Sequence, residues 1–190
     1  MKIVFATNNH NKIKEVQKAL PNVELVSLKS IGCIEELAED QETLKGNAQQ
    51  KAEYVYNKYK LPCFADDTGL IVDALNGDPG VYSARYAGSD CNSENNMDLL
   101  LSNLKGKESR VARFKTVICL YTESGPEFFD GIAEGEILYE RKGGDGFGYD
   151  PIFSPDGFEE SFAEMSIAQK NKISHRGIAV RKLIKALKKK

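Results

Sequence analysis

Apolar positions along this chain fall into two rhythms, short continuous runs and stripes recurring every three to four residues. The run Lys2–Thr7 (KIVFAT) predicts a short buried strand. A polar cluster follows, and then Ile13, Val16 and Leu20 share one helical face, so the segment reads strand, polar turn, helix. Residues 43–60 place Leu44, Ala48, Ala52, Val55 and Tyr59 at helical spacing, although Gly46 weakens the pattern. LPCFA predicts a second strand that ends at Asp66 and Asp67, and residues 76–80 (NGDPG) a turn. Ser93 is the expected cap of a helix through Leu104, with Met97, Leu100, Leu101 and Leu104 inward. Residues 110–122 are rich in β-formers and predict a long strand with Phe114, Thr116, Ile118 and Leu120 on one face. Shorter antiparallel strands are expected at 127–132 and 135–140, then a glycine-rich stretch. A last helix from Ser174 carries Ile178, Val180, Leu183, Ile184 and Leu187 as its stripe. Helices at both ends around a meander indicate a mixed α/β fold and not a purely doubly wound sheet.

A chain of 190 residues fits a single domain, 1–190, without internal repeat, linker or low-complexity tract. At that length folding can bury roughly 70% of the unfolded surface, so no covalent staple is required. Cys33, Cys63, Cys91 and Cys119 lie far apart and form no C-x-x-C pair, which predicts reduced thiols in the cytoplasm. No apolar run approaches a membrane span, and the polar N-terminus is too short for a signal peptide, so no membrane association is expected. The net charge of −2 does not suit a nucleic-acid binder. The basic tail KALKKK is read as lysines complementing a helix dipole.

Four groups of residues carry candidate chemistry. Thr7, Asn8, Asn9, His10, Asn11 and Lys12 lie between strand and helix, where backbone amides and the helix dipole suit phosphate. Lys12 stands where the dipole disfavours a cation, which makes sense beside an anion. The competing reading is a helix capped by Asn9 or Asn11. The missing glycines and Gly-Lys-Ser/Thr ending exclude a P-loop. The second group is acidic: Glu35, Glu36, Glu39, Asp40 and Glu42, with Asp66 and Asp67 inside apolar flanks. Burying an unpaired carboxylate is costly. A hard cation such as Mg²⁺, which takes one or two carboxylates plus waters and phosphate oxygens, would account for the pair. For Glu35, Glu36 and Glu42 a solvated acidic loop is the favoured reading, whereas the apolar flanks favour the cation for Asp66 and Asp67.

The third group is GGDGFGYDPIF, residues 143–153. Its glycines allow positive φ, Phe147 and Tyr149 can offer a ring face to a heterocycle, and Asp150 can accept from its N–H groups. Either ring can instead be a core anchor. The fourth is Lys170 with ISHRG, residues 173–177: Ser174 caps the last helix, and His175 and Arg176 occupy its first turn. Arg176 there implies a nearby anion or base edge. A nucleoside triphosphate with Mg²⁺ would engage all four groups.

TNNHNKIKEV, LPCFADDTGLIVDALNGDPGVYSARYAG, GGDGFGYDPIF and ISHRGIAVRKL together resemble the inosine/xanthosine triphosphate pyrophosphatases, in order and over essentially the whole chain. The resemblance implies an elongated, two-lobed α/β domain with a long central mixed sheet flanked by helices, an active-site cleft between the lobes, and a homodimer. It implies hydrolysis of ITP, dITP or XTP to the monophosphate and pyrophosphate, which cleanses the nucleotide pool. Thr7 to Lys12 would cradle the triphosphate, with Lys12 on phosphate oxygens. Glu39 and Asp67 would hold Mg²⁺, Asp67 would serve as general base with Asp66 in support, and Thr68 would touch substrate. Phe147, Gly148, Tyr149 and Asp150 would line the base pocket, with Phe147 stacking, and Lys170, His175 and Arg176 would complete recognition of base and phosphate.

Two departures from the family pattern matter: Asn8 replaces the usual Gly, and Glu39-Asp40-Gln41 replaces Glu-Thr-Gly; the exchange of Ser for Thr68 is minor. Asp40 thereby becomes a rival metal ligand. Two other classes compete with this reading. Asp67-Thr68-Gly69 is also the core of the aspartic-peptidase signature, but only one copy exists and Asp66 stands where an apolar residue is needed. A non-catalytic nucleotide sensor would bind triphosphate and have no need of Asp67.

Overall fold

The computed structural model describes residues 2–20 and 23–188, so Lys189 and Lys190 of the basic tail lie outside the described residues. The described residues form seven strands and five α-helices. They are β1 (Lys2–Phe5), α1 (His10–Ala19), β2 (Glu24–Val26), α2 (Leu44–Tyr59), β3 (Cys63–Val72), β4 (Pro79–Gly80), α3 (Ser93–Asn103), β5 (Val111–Thr122), β6 (Gly125–Ile137), β7 (Phe153–Pro155), α4 (Ile167–Ile173) and α5 (His175–Leu187). The sheet is mixed, with order β2-β1-β3-β5-β6-β7 and β4 paired with β3. β1 runs parallel to β2 and β3, whereas β3–β4 and β6–β7 are antiparallel. The fold is therefore mixed α/β, as the order of periodicities predicts.

The chain divides into two compact units: Met1–Asp67 with Thr116–Gly131 and His175–Lys190, and Thr68–Lys115 with Ile132–Ser174. In the first unit the pleat sends alternate side chains to two separate cores. Ile3, Phe5, Phe64, Ile118 and Leu120 pack with Val16 of α1 and with Ala179, Val180 and Leu183 of α5. Val4, Ala6, Cys63, Ala65 and Cys119 pack instead with Ala48, Ala52 and Val55 of α2. The second unit has its own core, in which Leu70, Val72, Phe114 and Phe153 meet Met97, Leu100 and Leu104.

Several expectations are corrected. LPCFA does not end at the acid pair; β3 continues to Val72, so Asp66 and Asp67 sit inside a ten-residue strand. The cap of α3 is Asn92 and not Ser93, because Asn92 Oδ1 accepts from the amides of Glu94 and Asn95 at 2.9 and 3.1 Å. The two short strands expected at 127–132 and 135–140 are one strand, β6. Two of its glycines mark close approaches: a Cβ at Gly131 would overlap the His175 carbonyl oxygen of α5, and one at Gly135 the Ser154 carbonyl oxygen of β7. Gly46 does not interrupt α2, since it lies in the first turn where Gln41 leaves no room, its side chain meeting any added Cβ at 2.8 Å. On α5 the stripe position expected for Ile178 is taken by Ala179, which is fully buried. Helix α4 was not anticipated, although its capping box, Ser166 with Gln169, is legible in sequence.

Candidate active site

The first unit gathers charge around the two neighbouring acids of β3. Asp66 shares the face of Phe64, toward α1 and α5, and Asp67 that of Cys63 and Ala65, toward α2. Asp66 is almost wholly buried; its Oδ1 accepts from Lys12 Nζ at 3.1 Å and its Oδ2 from Arg176 Nε at 3.0 Å. Asp67 Oδ2 accepts from Asn47 Nδ2 of α2 at 3.0 Å. Lys51, one helical turn beyond Asn47, is buried, ion-pairs with Glu39 and donates to the Asp66 carbonyl at 2.8 Å.

The local reasons are visible in each element. Asn9 caps α1, its Oδ1 accepting from the amides of Asn11 at 3.0 Å and Lys12 at 3.1 Å, and Thr7 Oγ1 accepts from the Asn9 amide at 3.1 Å. The capping reading therefore holds for Asn9, and the amides of Asn9, Asn11 and Lys12 are satisfied internally. Asn8, His10 and Asn11 are exposed, and from this segment it is the Lys12 side chain that reaches the acids. Asp40, the rival ligand, has its Oδ1 taken up by Gln50 at 2.7 Å and Gln41 at 2.9 Å.

The two acids differ electrostatically. Burial alone would raise the Asp66 carboxyl, but Lys12, Arg176 and Lys51 outweigh it and hold it well below the usual carboxylate range. Asp67 goes the other way: burial raises it, the neighbouring Glu39 charge adds to the rise, and Lys51 and Lys12 only partly oppose. Lys12 lies below an ordinary ammonium, chiefly through burial, with Asp66 opposing and repulsion from Lys51 and Arg176 contributing. Lys51 is raised, because Asp67, Glu39 and Asp66 overcome its burial.

In the second unit the glycine loop is built as its composition implies. Gly143, Gly146 and Gly148 have φ of 80, 83 and 63°, and a Cβ at Gly146 would overlap the Asp150 carboxylate. Asp150 is buried and accepts from the Phe147 amide at 2.9 Å and from Lys170 Nζ at 2.6 Å. The Lys170 ammonium lies 5.1 Å from the Phe147 ring centre and 5.4 Å from that of Phe162. Phe147 and Gly148 are half-buried. Tyr149 departs from expectation: its ring belongs to the core and its hydroxyl donates to the Ser83 carbonyl at 2.8 Å, so it anchors the loop instead of offering a ring face. Thr68, directly after Asp67, is also half-buried.

His175 and Arg176 are buried in the first turn of α5, and the anions near Arg176 include Asp66 and Glu15, whose Oε2 accepts from Arg176 Nη1 at 2.6 Å. Sequence reasoning missed Glu15, Asn47 and Lys51. Asn47 and Lys51 did leave a signal, since they lie four apart beside the buried positions Ala48, Ala52 and Val55. Polar residues on an apolar helical face demand partners.

Glu39 and Asp67 suit a hard cation. Both are oxygen donors set around Lys51, and their mutual repulsion raises Asp67, which a divalent ion would reverse. No group of three or more His, Cys, Asp or Glu side chains that could hold a metal occurs among the described residues. Two carboxylates are what Mg²⁺ uses when phosphate oxygens and water complete its shell.

The sequence profile of the Ham1 family matches residues 3–186. The chain belongs to the Ham1 family. Its relatives include a dITP/XTP pyrophosphatase of Christiangramia forsetii, 55% identical over 190 residues and covering all of both chains. Another dITP/XTP pyrophosphatase, of Flavobacterium johnsoniae, is 53% identical over 188 residues, 98% of each chain. Among solved structures, the Staphylococcus aureus Ham1 protein superimposes with a TM-score of 0.90 at 36% identity, covering 99% of this chain and 98% of that one. A Coxiella burnetii HAM1 protein gives 0.91 at 35% identity over the whole of both chains. These Ham1 relatives agree in kind with the resemblance carried by the four sequence motifs. No described helix is long and apolar enough to cross a membrane, and all four cysteines are free.

Proposed function

We propose that this protein hydrolyses non-standard purine nucleoside triphosphates (ITP, dITP and XTP) to the monophosphate and pyrophosphate, with Mg²⁺ as cofactor. The observation that carries the reading is the pair of adjacent buried acids on β3, Asp66 taken up by Lys12 and Arg176 and Asp67 held by Asn47 on the opposite face. Relatives that match the chain end to end bear the name dITP/XTP pyrophosphatase.

Bound at Glu39 and Asp67, Mg²⁺ would supply charge neutralisation to the phosphate oxygens and lower the pKa of water. Asp67, oriented by Asn47, takes the proton of the attacking water. The water oxygen bonds to the α-phosphorus as the bond from that phosphorus to the bridging oxygen breaks, and pyrophosphate leaves with the electron pair. Lys12 and Lys51 stabilise the charge that develops on the phosphates. In the second unit Phe147 stacks on the base, and Lys170, which can donate and cannot accept, suits a 6-oxo group and mismatches the 6-amino group of adenine. Unpaired donors of that kind discriminate by about 10⁴-fold or more. The enzyme would act in the cytoplasm as a homodimer, and sedimentation tests the dimer.

A panel of nucleoside triphosphates assayed for pyrophosphate, with and without Mg²⁺, tests the function. Release from dITP, ITP and XTP only with Mg²⁺ is the expected result. Equal hydrolysis of ATP would overturn the substrate class, and binding without hydrolysis would favour a nucleotide sensor.

A further inference from the structure

Glu15 is a buried acid that the proposed reaction does not use, only 5% exposed. It lies three residues after Lys12 on α1, so both side chains leave the same face of that helix. Lys12 donates to Asp66 Oδ1 at 3.1 Å, Arg176 Nε to Asp66 Oδ2 at 3.0 Å, and Arg176 Nη1 to Glu15 Oε2 at 2.6 Å. The four side chains therefore close a ring of alternating charge, from α1 to β3 to α5 and back to α1. Its two ends are fastened to one turn of one helix.

We infer that Glu15 is a positioning residue, which fixes Arg176, through it the Asp66 carboxylate, and so the Lys12 ammonium that meets substrate phosphate. Arg176 stands in the first turn of α5, where the helix dipole repels a cation, and a guanidinium so buried is kept in place by the carboxylates it reaches. Asp66 binds both cations through different oxygens, so a rotation of its carboxylate toward Arg176 withdraws Oδ1 from Lys12. Glu15 opposes that rotation by holding the far side of the guanidinium. Asp66 anchors the Lys12 ammonium, and the Lys12 side chain keeps 15% exposure, enough to present that ammonium to a phosphate.

The inference rests on the proposed hydrolysis, so wild-type release of pyrophosphate from dITP is measured first. Glu15→Gln removes the charge while keeping size, and Glu15→Asp keeps the charge while shortening its reach. With folding checked by circular dichroism and melting, the expected result is a KM for dITP raised about tenfold in Glu15→Gln and two- to fivefold in Glu15→Asp, with kcat changed less than threefold in both. That split is the mark of lost ground-state binding and would not follow from lowered stability. Should Glu15→Gln not fold, Glu15→Asp alone decides. Unchanged KM in a folded variant overturns the role of Glu15 and leaves the function standing. Absence of wild-type turnover overturns the function and the role together.

Discussion

Asp66 and Asp67 are neighbours in the chain, yet they face opposite sides of β3. Asp66 meets Lys12 and Arg176 on the side of α1 and α5, and Asp67 meets Asn47 on the side of α2. The twofold repeat of a strand assigns consecutive residues to opposite faces, so two chemically identical acids acquire opposite electrostatics.

Their effects on stability should therefore have opposite signs. Asp66 is held below its ordinary value, so its contribution is complete above the unfolded-state pKa of about 3.9 and fades as the pH falls through its folded value. Asp67 is held above its ordinary value, so its ionisation costs stability as the pH rises past about 3.9 and through its folded pKa. Melting curves without divalent metal should show Asp66→Asn losing about 3–5 kcal/mol at pH 7, the cost of breaking a buried pair. Asp67→Asn should melt higher than wild type at pH 7, with the gain vanishing below about pH 4. A gain that persists at acid pH would contradict this account.

Turnover should follow the other acid. Asp67→Asn keeps the size and a hydrogen-bonding amide but cannot take a proton, so kcat for dITP should fall by about 10²–10⁴-fold. Its KM should stay within a few-fold of wild type, and stopped assays with dITP check both. Near-normal kcat would remove Asp67 from the role of base.

Metal binding should be visible without any reaction. Mg²⁺ added to the wild type should raise the melting temperature, by up to about 2.7 kcal/mol of stability at a hundredfold excess over its Kd. Asp67→Asn and Glu39→Gln should each lose most of that shift. Equal shifts in all three proteins would place the ion elsewhere.

Lys170→Met tests the second unit. It leaves the Asp150 carboxylate without the ammonium 2.6 Å away and takes the cation from above the Phe147 ring. The KM for dITP should rise about tenfold or more, with a smaller change in kcat, and the preference for dITP over dATP should narrow. An unchanged dITP/dATP ratio would separate Lys170 from base selection.

Much of the scaffold was legible in order along the chain. Ile13, Val16 and Leu20 marked α1, and the β-rich run 110–122 marked β5, because each element buries one face and writes its own period. The glycines of the 143–148 loop announced the positive φ values they adopt. Where the reading slipped, at β3 and β6, the deciding partner was a neighbouring strand: β4 pairs with Leu70 and Ile71 of β3, and β7 with Gly135, Glu136 and Ile137 of β6. For Tyr149 both a ligand-facing ring and a core anchor were open in the sequence, and only the core around it shows which way the ring faces.

By itself, then, the sequence determined the mixed α/β class, the candidate groups around residues 7–12, 66–67, 147–150 and 175–176, and the family. Local period and residue chemistry are enough for those. Tertiary structure alone decided which cation meets which acid. It joined Glu15 to Arg176 across 161 positions and Asn47 to Asp67 across 20, and it ran β3 through the acid pair so that its two carboxylates diverge. Charge pairing in a buried site depends on distance in space, which no local pattern records.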